Sequence, residues 1–193
     1  MTRMTAGFEA ALGSSVERSS CPHLAVLIRT EDELLPVLAT FYALGVRRNG
    51  WLVHRARPAE QDAHRDALEA AGLPVRELEA ERRMAIAELD PSAPAEATAE
   101  TWARELDAAL ARGHEAGWYA RSATGPGAVE YAQILEHERA WEARFHGRPV
   151  VTLCPFVVGE LDPDEQAARA DALAVMHDPV LVANADGGFD ARG

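Results

Sequence analysis

His23-Leu-Ala-Val-Leu-Ile28 is an apolar run of strand length, and Thr30-Glu-Asp-Glu33 follows it almost at once. The Thr-x-x-Glu pattern is a capping box, which predicts that a helix opens there. Leu34, Leu35, Val37, Leu38 and Phe41 form the buried stripe of that helix, and Gly45 fits its stop. Trp51-Leu-Val-His-Arg55 reads as a second strand. Strand, helix and strand in that order make a βαβ unit, and its strands run parallel.

The alternation continues along the chain. Pro58 suits the first position of a helix that carries Leu68 to the core and ends at Gly72. Val75 to Leu78 reads as a weaker third strand. Residues 79–97 stay open between strand and helix around Met84-Ala-Ile86, with a turn at Asp90-Pro-Ser-Ala-Pro94. Trp102, Leu106, Ala109 and Leu110 sit at helical spacing in a long helix ending near Glu115. Trp118-Tyr-Ala-Arg121 is the next strand. The loop Ser122-Ala-Thr-Gly-Pro-Gly127 leads into a helix with Val129, Ile134, Leu135, Glu138, Trp141 and Phe145. Val150-Val-Thr-Leu-Cys-Pro-Phe156 is nearly continuous apolar sequence, as expected of a strand covered on both faces. Asp162-Pro-Asp-Glu165 is a second capping box, its helix ends near Met176, and Val180-Leu-Val182 is a last strand. Five or six strands alternating with helices predict a doubly wound, mainly parallel α/β sheet with helices on both faces, a three-layer sandwich. Residues 1–20 are expected to be a mobile arm or short helix, 21–185 a single domain, and 186–193 a tail.

Composition narrows the function. The 193 residues carry 19 basic and 31 acidic side chains, a net charge of −12, with 48% apolar residues. The acidic balance argues against a nucleic-acid partner, whose phosphates need clustered Lys and Arg. Every basic residue is Arg; there is no Lys, which excludes Schiff-base chemistry and a phosphate-gripping lysine. The first twenty residues lack the apolar core of a signal peptide, and no stretch approaches the ~18 apolar residues of a membrane helix. The expected location is cytoplasmic. The two cysteines, Cys21 and Cys154, suggest no disulfide framework.

In such sheets ligands bind outside the carboxyl ends of the strands. Arg29, Thr30, Arg55, Arg121, Ser122, Pro155 and Phe156 are placed at that edge. Cys21, His23 and His177 are placed on the opposite rim, as weak metal candidates that lack a fourth ligand. No glycine-rich phosphate loop follows any strand, and three carboxylates stand where phosphates would dock after the first. Cys154 lies in an apolar strand, where a thiol is usually an inert small hydrophobe; a catalytic thiolate wants a nearby His or helix N-terminus. Glu138 shares a helix face with Leu135, Trp141 and Phe145, which leaves two readings: an inward carboxylate that needs a partner, with Arg121 the best candidate, or a snorkelling surface glutamate.

His23-Leu, the Glu-rich helix start, Gly45-Val-Arg-Arg-Asn-Gly50, Leu135-Glu-His-Glu138, Leu153-Cys154-x-Phe156 and His177-x-Pro179, in this order over residues 22–183, resemble the methanogen/methylotroph sensory domain family. The resemblance implies a RecA-like fold that has lost its nucleotide loop. It also implies a sensor of small hydrocarbon derivatives that works beside DNA-binding, histidine-kinase-like or anti-sigma modules. The chain departs from the family at Arg29-Thr30, where an aromatic is usual, at Phe156, where a tyrosine is usual, and at Ser122–Gly127, where Glu and Trp are common. These departures imply a changed or lost pocket.

The expectation is therefore a non-enzymatic cytoplasmic sensor without cofactor or bound metal. It takes a small, fairly apolar ligand at the carboxyl edge, and a partner protein or a second copy of the chain reads its state. Arg121 and Glu138 supply the polar anchor, Cys154, Phe156, Trp118 and Trp141 the walls, and Thr30 and Arg55 flank the same edge. The alternatives are a protein-interaction module whose pocket is filled by its own side chains, or an enzyme using Cys154.

Overall fold

The computed structural model describes residues 3–19, 21–125, 127–184, 186 and 188–192. Residues 1, 2 and 20 of the expected arm, 126 of the loop, 185 at the end of the expected domain, and 187 and 193 of the tail lie outside that set, as does the side chain of Val129. The elements are α1 (Arg3–Arg18), β1 (His23–Ile28), α2 (Leu34–Arg47), β2 (Trp51–Ala56), α3 (Gln61–Ala70), α4 (Val75–Ala80), β3 (Met84–Glu88), α5 (Ala95–Ala111), β4 (Gly117–Arg121), α6 (Ala128–Phe145), β5 (Val150–Val157), α7 (Pro163–Ala174), β6 (Val180–Ala183) and β7 (Phe189–Arg192). The strands form one sheet in the order β3-β2-β4-β5-β1-β6-β7, parallel except for β7. This is a doubly wound α/β sandwich with one strand more than expected.

Every residue of β1 and β5 is buried, so these two uninterrupted apolar strands lie side by side at the centre. Strand alternation then sorts the side chains onto two faces. Leu24, Val26, Leu52, Trp118 and Leu153 pack with α1 and α2 through Phe8, Leu12, Leu38 and Phe41. Val53, Tyr119 and Val150 pack under α5 and α6, and Ala25, Leu27, Cys154 and Phe156 under α6 and α7.

Several local expectations are corrected. Val75 to Leu78 is helical: its two apolar residues are three apart, the spacing of one helix face, and both are buried. The third strand is Met84–Glu88, which settles the open stretch, and α3 starts at Gln61, after Pro58. Helix α2 runs past Gly45 to Arg47. It ends in a Schellman motif: Asn49 takes the left-handed conformation (φ 50°), Gly50 N–H donates to Gly45 O at 2.8 Å and Asn49 N–H to Val46 O at 3.2 Å. The box at Thr30 does not close. Glu33 turns back to the Arg29 N–H at 2.8 Å, a single 3-10 turn spans Glu31–Glu33, and Thr30 caps nothing. The box at Asp162–Glu165 forms on both sides, with Pro163 at the first helical position. At the expected tail, β7 pairs antiparallel with β6 and satisfies its free edge, while Phe189 meets Phe8 of α1 at 5.7 Å between ring centroids. The first segment is the 16-residue α1, whose Phe8 and Leu12 are fully buried.

Gly45 and Gly50 exist for Trp118. The indole lies against both backbones, and a methyl on Gly50 would overlap its Cδ1. Gly50→Ala is therefore expected to lower stability by about 1–3 kcal/mol through overpacking. Gly13→Ala on α1, where nothing lies within 4 Å of the new methyl, is expected to raise it by up to about 1 kcal/mol. Urea midpoints at unchanged slope measure both; a neutral Gly50→Ala would refute the packing argument.

Candidate functional site

His23 opens β1 opposite Thr152 of β5, and Cys154 stands two residues further along β5 opposite Ala25. Residues two apart share a face, so the imidazole and the thiol are diagonal neighbours, with Nε2 to Sγ at 3.4 Å. Helix α6 crosses that face with Glu138 and Glu142 one turn apart. Glu138 Oε2 lies 3.0 Å from His23 Nε2 and accepts from Cys154 Sγ at 3.0 Å. Glu142 Oε2 lies 3.0 Å from His23 Nδ1. The other Glu138 oxygen takes Arg121 Nε and Nη2 at 3.2 and 2.9 Å. Arg121 Nη1 donates to Thr124 Oγ1 and Ser122 O, and its guanidinium lies 4.8 Å over the Phe156 ring.

His177 arrives from the loop between α7 and β6. Asp178 N–H donates to His23 O at 2.9 Å, which ties that loop to the start of β1 and lays the two imidazoles 4.2 Å apart. His177 Nδ1 meets Leu173 O at 3.0 Å, while Nε2 stands 3.6 Å from Glu138 Oε2 with no hydrogen-bond partner. His23, Glu138, Cys154 and His177 are all buried, and one donor atom from each lies within 4.8 Å of the others.

The charges interlock. Burial pushes Glu138 up, but the Arg121 charge and the two imidazoles outweigh it and hold the carboxyl well below its usual range. Burial pushes His23 down, yet the Cys154 sulfur and the two glutamates raise it well above 6.5. His177 is raised to about 8 against its burial by Cys154 and Glu138. Burial and Glu138 raise Cys154, but the two histidines prevail and lower its thiol. The thiol is thus lowered from its ordinary value although it stands among charged partners. A cleft of about 300 Å3 at the amino edge of the sheet, lined by Cys21, His23, Glu142, His146, Met176 and His177, opens onto it.

The sequence-derived candidates divide as follows. Glu138 is buried and paired with Arg121, as expected for an inward carboxylate. His23 and His177, expected on the rim opposite Cys154, lie with it, because Cys154 sits mid-strand and α6 brings Glu138 across between them. Cys21 stays outside, half-buried at the cleft mouth, where its sulfur accepts from Gly147 N–H. Trp118 is excluded: it faces α2, 5.1 Å from Phe41, while its neighbour Tyr119 holds the place expected for it. Thr30 is exposed and contacts none of these residues. Arg55 and Trp141 line a separate small cavity between α5 and α6 with Leu89, Tyr119, Arg121 and Glu138. Its volume is about 20 Å3, room for one water-sized group. Arg55 Nε donates to Glu88 O at 3.0 Å, and Trp141 Nε1 donates to Thr152 Oγ1 at 2.9 Å. Glu142 went unnoticed in the sequence, although it stands one turn beyond Glu138 on the same helix face.

Among the described residues no helix is long and apolar enough to cross a membrane. Comparison with curated proteins gives no match. Compared with protein families, residues 22–174 match the MEthanogen/methylotroph, DcmR Sensory domain, abbreviated MEDS, a span that takes in β1, α6, β5 and three of the four clustered side chains. The chain belongs to the MEDS family of sensory domains.

Proposed function

We propose that this sensory domain is non-enzymatic and takes a small, largely apolar molecule with one polar end into the cavity between α5 and α6, signalling to a cytoplasmic partner protein. The observation that carries the reading is the make-up of that cavity. Leu89, Ala95, Ala99, Ile134 and Trp141 give apolar walls, and Arg55, Arg121 and Glu138 give a buried charged floor at the carboxyl end of the sheet. At about 20 Å3 it holds no ligand of that size, so entry parts α5 from α6. Two positions of α6 are then the two signalling states, and ligand shifts their populations. A kinase-like, anti-sigma or DNA-binding module, or a second copy of the chain, reads them. The strand order and the acidic, glycine-free turn after β1 support a RecA-like sheet without its nucleotide loop.

Thermal unfolding with a panel of short halogenated, hydroxylated and methylated alkanes tests this. Ligand at 100 times its Kd is expected to add ~2.7 kcal/mol. Ala99→Leu, which fills the cavity, is expected to abolish that gain. A panel that moves neither protein overturns the reading in favour of a second one, which the small cavity also supports: a protein-interaction module whose pocket is occupied by its own side chains.

A further inference from the structure

We infer that His23 Nε2, Cys154 Sγ, Glu138 Oε2 and His177 Nε2 form a four-coordinate site for a divalent transition metal of the zinc class. The inference goes beyond the ligand cavity and shares only Glu138 with it.

The donor set is the first argument. Two imidazoles, one thiolate and one carboxylate suit a borderline-soft ion such as Zn2+, which binds such donors tetrahedrally. The spacing is the second. Bonds of roughly 2.0–2.3 Å place tetrahedral donors about 3.3–3.8 Å apart. Here the separations are 3.0 Å from Glu138 to both His23 and Cys154, 3.4 Å from Cys154 to His23 and 3.6 Å from Glu138 to His177, and all four atoms lie within 4.8 Å of one another; side-chain shifts of a few tenths of an ångström to about 1 Å bring them to tetrahedral spacing.

The orientation of the rings is the third argument. A metal-bound imidazole almost always donates its far N–H to a carboxylate or a backbone carbonyl. His23 offers Nδ1 to Glu142, and His177 offers Nδ1 to Leu173 O, so each ring turns Nε2 toward the centre, where a metal ion would displace its proton. Arg121 holds Glu138 Oε1 and leaves Oε2 as the single ligating oxygen. The fourth argument is an orphan. Buried polar atoms are normally partnered, yet His177 Nε2, on a side chain with 0% exposure, has no hydrogen bond. A metal ion supplies what that nitrogen lacks. The amino-edge cleft gives the ion a way in, and a way out for the protons it displaces from Cys154, His23 and His177.

The experiment uses the full chain, stripped with a chelator and titrated with Zn2+ and Co2+ at neutral pH. One equivalent is expected to bind and to raise Tm, with Co2+ giving visible d–d absorption of tetrahedral intensity and, in the near ultraviolet, a thiolate charge-transfer band. Cys154→Ser is expected to lose that band, and Cys21→Ser to keep it. Glu142→Gln, which leaves all four ligands in place, is expected to weaken binding about 10–100-fold. It is half-exposed and keeps the test decisive should Cys154→Ser not fold. Absence of stoichiometric binding overturns the site; so does a cobalt band that survives Cys154→Ser or vanishes with Cys21→Ser, and so does full affinity in Glu142→Gln. A chain that binds metal but ignores the alkane panel keeps this site and loses the proposed ligand.

Discussion

Glu138→Ala is expected to destabilise the metal-free protein by about 3–5 kcal/mol, the range for removing one partner of a buried ion pair. Arg121 and Glu138 are only 4% and 5% exposed at their side chains. With the carboxylate gone, the guanidinium keeps Thr124 Oγ1 and the carbonyls of Ser122 and Pro155 but no counter-charge. His23 and Cys154 lose their shared partner in the same step. Against a typical total of 5–15 kcal/mol, such a loss brings the domain close to unfolding at room temperature. Urea denaturation of Glu138→Ala, Arg121→Met and the double variant forms a cycle. The double variant is expected to be more stable than either single one, since an apolar pair replaces the buried charges. A loss below about 1 kcal/mol in Glu138→Ala would show that water already screens the pair.

Acid is the second large lever, and it acts on the other face of the sheet. His54 of β2 is fully buried between Tyr42 of α2 and His64 of α3; Tyr42 Oη lies 3.1 Å from its Nδ1 and His64 Nδ1 2.8 Å from its Nε2. Burial, then the neighbouring His64, push His54 down to about 3. Glu60, Glu31 and Arg57 are the charges around His64, which is lowered as well, mainly by its burial. An unfolded histidine titrates near 6.5, so between pH 6.5 and 3 the unfolded chain binds a proton at His54 that the folded one refuses. Stability is thus unaffected by His54 above pH 6.5 and falls below it by about 1.4 kcal/mol per unit. Over the whole window that amounts to roughly 4–5 kcal/mol. His54→Leu is expected to flatten the stability profile between pH 6.5 and 5 by one proton. Equal slopes in the two proteins would mean that His54 is solvated or already protonated in the fold.

The fold was legible where one physical signal dominates. The unbroken apolar runs of β1 and β5 mark central strands, and Asp162 with Glu165 makes the cap it spells. It was obscure where two signals compete. Thr30 loses its Glu33 to the Arg29 backbone, and two apolar residues at Val75 and Leu78 are too few to distinguish a strand from a helical turn. Each member of the buried quartet could be singled out from the sequence, and the face Glu138 shares with Leu135, Trp141 and Phe145 allowed an inward carboxylate without deciding it against a surface one. Their assembly could not be read, because it depends on the register of β1 against β5 and on where α6 crosses them. Local sequence carries neither. The parity of β4 was hidden for the same reason: Trp118 and Tyr119 are both aromatic, and the glycines at 45 and 50 decide which of them faces α2.

The place of β1 in the sheet also bears on how the chain is made. Its hydrogen-bonded neighbours are β5 and β6, so His23 meets Thr152 and Ala25 meets Val180 only after most of the protein has been synthesised. At ribosomal speeds the wait is on the order of 10 s, and pairings this distant in sequence close slowly. Throughout it, His23-Leu-Ala-Val-Leu-Ile28 is a six-residue, β-prone segment without Asp, Glu, Arg, Pro or Gly, with both edges unpaired, the profile of an aggregation nucleus. The strand that supplies the first side chain of the buried cluster is thus a segment of the nascent chain that gains from shielding until its neighbours are made.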